Sequence, residues 1–245
     1  IGLYLLSCLA AREMGLITAS QMIRRMLRTV ETMEHLPRWK GHFYNWYSLE
    51  TLQPLPPKFI STVDSGNLCA CLLACAQGAR RYLKEMDASA RNLPARLDHL
   101  ARSMQFAPLY DASVSLFHIG YDTEEKRLSP SHYDLLASEC RLASFAAVML
   151  RQVPLRHWYA LGRNTTRQGG GAALLSWGGT AFEYLMPELL LPCWRDSLIY
   201  ESARFCLYCQ RKRTSALGLP WGASERAFSM LDGTLGYRYK AHGVS

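Results

Sequence analysis

No stretch of this sequence is apolar for long enough to cross a bilayer. The longest run, LCACLLACA at 68–76, is about half of the roughly 18 residues that a span requires. No signal peptide is visible either, since IGLYLLSCLAAREMG has neither a basic lead nor a small-residue cleavage site. The HExxH pairing of zinc hydrolases, the GxSxG elbow and the GxxxxGKS phosphate loop do not occur, and His42, His118, His132 and His157 stand at unrelated spacings. QGGGAA at 168–173 lacks the Lys-Ser/Thr pair of a phosphate loop and reads as a flexible turn. Lysine is scarce, 6 residues against 22 arginines. The excess fits codon usage or carboxylate pairing and names no partner. The net charge of +8 is scattered, with no block of five like charges, which argues against a nucleic-acid tail.

A second CxxC is absent as well. Cys206 and Cys209 form the sole pair at that spacing, inside a helical pattern, and Cys69, Cys71 and Cys75 fall in an apolar helical run. In such places cysteine behaves as a small hydrophobe, so reduced thiols are expected rather than a disulfide framework or a zinc site.

What is present is a globular composition, 49% hydrophobic and 20% charged over 245 residues, enough for one sizeable core. The chain opens without Met inside an apolar helical pattern and reads as a piece of something longer. Apolar periodicity predicts helices over 2–14, 19–35, 65–83, 87–104, 131–152, 155–162, 181–190, 196–213 and 224–231, with extended segments at 114–122 and 170–177. The expectation is an all-α, α/α architecture in one domain, 1–245, with 84–130 as a variable insertion. Loops carrying Gly, Pro and aromatic residues would build the site.

Four carboxylates draw attention. Glu139 falls among Leu135, Leu136, Leu142 and Ala143 on a predicted helix. It reads equally well as the partner of a buried Arg141 or Arg163 and as an acid whose pKa is raised beside a cavity. Glu225, after Trp221 and Gly222, reads first as the opening turn of a helix capped by Ser224, and second as one side of a sugar subsite. Asp64 has the setting of an N-cap, with Asn67 three residues on. Glu183, flanked by aromatic residues, reads as packing. Trp46, Trp158, Trp177 and Trp221 accompany these groups. Paired carboxyls with aromatic faces are what cleavage of a glycosidic bond and stacking on pyranose rings require.

The blocks GHFYNWYSLETLQPLPPKFISTVDSGNL, SPSHYDLLASECRLASF, VPLRHWYALGR, LLSWGGTAFEYLMPELLL and LPWGASERAFSMLDGTLGYRYKAHGVS, with the opening IGLYLLSCLAAREMG, resemble in order the glycoamylase-like domain of cyclic β-1,2-glucan synthases. The resemblance covers nearly the whole chain outside 84–130. It implies an (α/α)6-toroid-type barrel, incomplete here because about nine helical segments are fewer than the closed barrel holds. It also implies an anomer-retaining transglycosylase that closes linear β-1,2-glucan into a ring, turning over poorly as this segment alone. On the matching motifs Glu139 is the general acid/base and Glu225 the nucleophile. Asp64, His42, Tyr44, Trp46, Asn67, Glu183, Trp221, Ser224 and Tyr239 would contact the glucan. The implied partners are the β-1,2-glucan chain and neighbouring glycosyltransferase and phosphorylase-like domains of one polypeptide, at the cytoplasmic face of a bacterial inner membrane. No nucleic acid, metal or cofactor is implied. Departures from the family pattern place Cys140 and Arg226 beside the two glutamates. Arg226 would lower the pKa of Glu225, while the same drift would also suit a degenerate copy. An endo-β-1,2-glucanase and a non-catalytic glucan-binding module remain as alternatives.

Overall fold

The computed structural model describes residues 1–168, 170–222, 224–231 and 237–241, with the backbone alone at Gln168, 225–231 and 237–241. The chain divides into two units, Ile1–Tyr133 with Leu142–Ala160, and Asp134–Arg141 with Leu161–Ser245.

The first unit begins with α1 (Gly2–Glu13) and α2 (Ala19–His35). Thr18 starts α2 with a reciprocal cap: its hydroxyl accepts from Gln21 N–H at 3.2 Å, and Gln21 Oε1 accepts from Thr18 N–H at 2.9 Å. Met22, Ile23, Met26, Val30 and Met33 then bury one stripe at helical spacing. The hairpin of β1 (Arg38–Trp39) and β2 (His42–Phe43) turns at Lys40 and Gly41, both at positive φ. Gly41 is needed there, because a Cβ would sit 2.0 Å from the Ser103 carbonyl oxygen.

Strand β3 (Phe59–Ser61) runs into α3 (Thr62–Arg80). The cap of α3 is Ser61, whose hydroxyl accepts from Asp64 N–H at 3.2 Å, so Asp64 lies inside the first turn and is not the N-cap expected from the sequence. A carboxylate in that turn is favoured by the helix dipole. Helix α4 (Leu93–Arg102) packs along α3, and it is shorter than the predicted 87–104. Asp87 explains the late start: its carboxylate accepts from Ser89 Oγ and Ala90 N–H at 2.7 and 2.9 Å, which holds a turn, and Pro94 then falls in the first helical turn, where no donor is missed.

The region predicted as one extended segment at 114–122 divides between two small antiparallel sheets. β4 (Tyr110–Asp111), β5 (Leu116–His118) and β8 (His132–Tyr133) form one, in the order β4-β5-β8. β6 (Gly120–Asp122) and β7 (Arg127–Leu128) join β3 in the other. Helix α5 (Cys140–Met149) and α6 (Arg156–Ala160) follow, with Cys140 and Arg141 counted in the second unit. The core of the first unit gathers Leu5, Met26, Leu72, Leu97, Met104, Phe106 and Phe117, all at most 1% exposed. All eight cysteines are free. Burial pushes the thiols of Cys69 and Cys75 up to about 12 and that of Cys71 to about 11, so they pack as neutral groups.

In the second unit β9 (Thr165–Gln168) and β10 (Gly171–Leu174) pair antiparallel around the glycine run. β10 lies against α8 (Leu198–Ala216), and α7 (Ala181–Leu185), continued by a 3-10 turn at Met186–Leu189, packs on α8 as well. Ser202 Oγ accepts from Leu174 N–H at 2.9 Å, and Tyr184 OH donates to Leu174 O at 2.5 Å, so β10 is bonded from both helices. The helix predicted over 224–231 is a strand, β11 (Glu225–Leu231), paired antiparallel with β12 (Tyr237–Ala241). Aromatic YRYKA supplies a ladder partner with strong strand preference, and tertiary pairing overrides a weak helical pattern.

Candidate active site

Glu139 is half-buried in the turn just before α5, not in the middle of a helix spanning 131–152. The backbone upstream is committed elsewhere. Leu135 bridges Gly162, Leu136 N–H donates to Gly162 O at 3.0 Å, and Gly162 N–H donates to Asp134 O at 2.6 Å. A helix through 134–136 would have to break those bonds. Ser138 Oγ accepts from Cys140 N–H at 3.2 Å and donates to Glu139 Oε2 at 3.4 Å, which fixes the turn and the carboxylate together. Arg141, 3% exposed, donates to Tyr184 O at 3.1 Å and lies 4.0 Å from Glu188. Burial lowers its pKa, opposed by the Glu188 charge.

Three segments of the second unit are thereby bonded to one another. Trp177 Nε1–H donates to Asp134 Oδ1 at 3.2 Å, joining the loop after β10 to the segment that carries Glu139. Arg141 ties that same segment to α7. Ser224 Oγ accepts from Phe182 N–H at 3.2 Å, so the residue before Glu225 satisfies a first-turn donor of α7. Ser224 was expected to cap a helix of its own at 224–231; it serves a helix 42 residues earlier instead. The side chains of Trp177 and Trp221 are 52% and 53% exposed, and the Arg211 guanidinium lies 4.9 Å above the Trp221 ring.

Glu183 is 5% exposed, and its carboxylate is fully engaged. It accepts from Gly178 N–H at 2.9 and 3.0 Å, from Thr180 N–H at 2.9 Å, from Thr180 Oγ1 at 3.1 Å and from Ser176 Oγ at 3.3 Å. Thr180 returns the bond by accepting from Glu183 N–H, a capping box that starts α7 and moulds the Trp177 loop. The side chains of Glu225 and Tyr239 lie outside the described residues; their backbones are in β11 and β12, with Tyr239 opposite Ala227.

Asp64, Asn67, His42, Tyr44 and Trp46 belong to the first unit. Asp64 is exposed, and Trp46 is 51% exposed. Asn67 has a buried Oδ1 with no hydrogen-bond partner among the described residues. Tyr44 N–H donates to Tyr47 OH at 2.9 Å, and Tyr47 OH donates to Pro37 O at 2.7 Å, so Tyr47 braces the aromatic stretch. Trp39 stacks on Tyr121 at 4.4 Å, and these two rings with Tyr44, Lys58 and Lys126 line a cleft of about 520 Å³. His42 does not line anything: it is fully buried, donates Nε2–H to Gln105 O at 2.8 Å and meets Phe106 edge-on at 5.0 Å. Burial lowers its pKa to about 4, which keeps the ring neutral. Its place in the sequence beside exposed aromatics concealed that role.

Sequence reading missed Asp134 and Ser176, which orient the Trp177 loop. Both are short polar residues, and only the fold brings them to their partners. Among the described residues, the one group of His, Cys, Asp or Glu close enough to share an ion is Asp111, His118 and His132 in the first unit. No helix among the described residues is long and apolar enough to cross a membrane.

The helices, the short ribbons and the carboxylate-bearing loops define a class, the α/α-toroid type found in glycoside hydrolases. The chain superposes on an endo-β-1,2-glucanase from Chitinophaga pinensis, solved with sophorotriose and glucose, with a TM-score of 0.77 over 99% of this chain and 62% of that one at 17% identity. It also matches a β-1,2-glucanase from Parabacteroides distasonis with a TM-score of 0.80, over 100% of this chain and 40% of that one, at 14% identity. The chain therefore corresponds to part of each of these two proteins.

No family model matches the chain. In sequence the chain is a homologue of a segment of the cyclic β-(1,2)-glucan synthase NdvB of Rhizobium meliloti (strain 1021), 27% identical over 365 residues. The match takes in 100% of this chain and 13% of that protein. The aligned stretch exceeds the 245 residues of this chain, so the relative carries segments that are missing here.

Proposed function

We propose that the chain acts on β-1,2-glucan as a retaining transglycosylase that closes the linear polymer into a ring, all of 1–245 serving as one glycan-handling domain. The observation that carries this reading is the homology to a cyclic β-1,2-glucan synthase over the whole chain, with Glu139 set in a bonded turn on the segment whose Asp134 holds the exposed Trp177 ring. Glu139 is the general acid/base and Glu225 the nucleophile. Glu225 attacks the anomeric carbon as Glu139 gives its proton to the departing glycosidic oxygen, and a glycosyl-enzyme ester results. The 2-hydroxyl at the far end of the same chain then attacks that carbon, loses its proton to Glu139 and releases Glu225. Direct displacement of this kind needs the two carboxyl groups about 5–5.5 Å apart. A curved cleft would favour the internal acceptor over water by raising its effective concentration. Asp64, Asn67, Tyr44, Trp46, Trp221 and Tyr239 would contact the sugar, while Glu183 shapes the Trp177 loop. The neighbours would be glycosyltransferase and phosphorylase-like domains of a membrane-associated parent protein.

A hydrolytic reading is favoured by one observation: both solved relatives above are named as β-1,2-glucanases. Linear β-1,2-glucan incubated with the chain separates the two, because a cyclic product is lighter than the linear one of equal length by one water. Glu139→Gln and Glu225→Gln are each expected to abolish product. If product formation survives both changes, neither glutamate is catalytic; a wild-type chain that retains linear β-1,2-glucan but forms no product from it is a binding module.

A further inference from the structure

The three-stranded sheet β4-β5-β8 puts three ligand-type side chains on one face. His118 and His132 are direct cross-strand partners, and Asp111 is opposite Leu116, two residues from His118 along β5. Strand alternation therefore turns Asp111, His118 and His132 to the same side, while Phe117 between them is wholly buried on the other. Asp111 Oδ2 is 3.1 Å from His132 Nε2 and 3.8 Å from His118 Nε2, and the three atoms all lie within 4.8 Å of one another. Ligands bound about 2.0–2.1 Å from a tetrahedral ion stand roughly 3.3 Å apart, between the two measured separations.

The hydrogen bonds around the cluster orient it for a cation. His118 Nδ1 is 2.7 Å from Ser129 O, and a carbonyl only accepts, so Nδ1 carries the proton. In the neutral ring the Nε2 lone pair is then directed at a carboxylate that is also an acceptor. Asp111 is held from behind, its Oδ1 accepting Ser113 N–H at 2.9 Å and Ser113 Oγ at 2.6 Å, which leaves Oδ2 for the cluster. His132 can present Nε2 by shifting its own proton to Nδ1. Outer bonds of this sort fix the ring orientation and tautomer of metal-ligating histidines. The three side chains are 15–24% exposed, so an ion can reach them from solvent.

We propose that Asp111, His118 and His132 form a binding site for a divalent transition-metal ion of the zinc type, with water completing the coordination. Two imidazoles and one carboxylate suit such ions better than calcium or magnesium. The ion would clamp three short strands that have little pairing of their own, a structural role separate from the glutamate chemistry.

The test uses the whole chain, stripped with a chelator and dialysed, then titrated with zinc chloride in a calorimeter and with cobalt(II) in a spectrophotometer. One equivalent should bind and raise the melting temperature. Cobalt should give visible d–d bands without the near-ultraviolet charge transfer that a thiolate would add. His118→Gln and Asp111→Asn should each weaken binding by about 100-fold or more. The proposal is overturned if the wild type binds no stoichiometric ion, if a thiolate band appears, or if His118→Gln with His132→Gln binds as the wild type does. Should the double variant not fold, the wild-type titration and cobalt spectrum still decide. A proton bridging Nε2 and Oδ2 in place of the metal would be read as no binding.

Discussion

Acidification should destabilise the first unit through one ring. His42 is fully buried, its pKa is lowered from 6.5 to about 4, and its single bond is to Gln105 O at 2.8 Å. Above about pH 6.5 the histidine is neutral in folded and unfolded chains, and its contribution to stability is complete. Between 6.5 and about 4 the unfolded chain takes up a proton that the folded one refuses, so stability falls as pH falls. At about 1.4 kcal/mol per pH unit the total loss is on the order of 3 kcal/mol, reached near pH 4. His42→Gln can keep a donor toward Gln105 O and has no titration. Urea denaturation of both proteins, near pH 7.5 and near pH 4.5, isolates the effect, because His157, also lowered by burial, is common to the two. The wild type should lose about 2–3 kcal/mol more than the variant over that range. Equal losses would refute the buried neutral ring.

Three further outcomes follow from the packing and the caps. Glu183→Gln replaces an acceptor with a donor opposite Gly178 and Thr180 N–H and should cost about 3–5 kcal/mol in denaturant, from a lost cap and charge-assisted bonds; a cost below about 1 kcal/mol would place the carboxylate outside the loop's framework. Gly66→Ala sets a Cβ 2.0 Å from the Ala143 Cβ, and thermal unfolding should show roughly 1–3 kcal/mol of overpacking despite the better helix former. Asp64→Asn, at an exposed first-turn position, should change stability by less than about 1 kcal/mol while lowering turnover of β-1,2-glucan, measured by product yield.

The parts legible in the sequence are those governed by neighbours along the chain. Helix α2 spans the bounds that apolar periodicity predicts, since its stripe is regular and the cap found at Thr18 and Gln21 is local. Glu139 illustrates the opposite case. Leu135 and Leu136 fit a helical stripe, yet their backbone pairs with Gly162, a partner that no local pattern reveals. Glu225 was recognisable as a candidate from its motif, but not as part of a strand, since its pairing depends on Ala241. Asp64 was assigned the cap that Ser61 provides because either side chain can accept the bond at a helix start. In each case the chemistry-bearing residue was visible and its backbone setting was not.

The buried thiols of α3 have a practical consequence. Cys69 and Cys75 are fully buried and Cys71 is 1% exposed, whereas Cys193 and Cys209 in the second unit are partly open to solvent. Alkylation needs both access and a thiolate, and α3 denies both until it opens. Under a trickle of iodoacetamide, Cys209 should therefore be marked early, Cys193 more slowly because burial and the Glu188 carboxylate push its thiol up to about 11, and the α3 trio only as fast as the first unit breathes. The protein carries its own clock for local opening, readable by peptide mass without any introduced label.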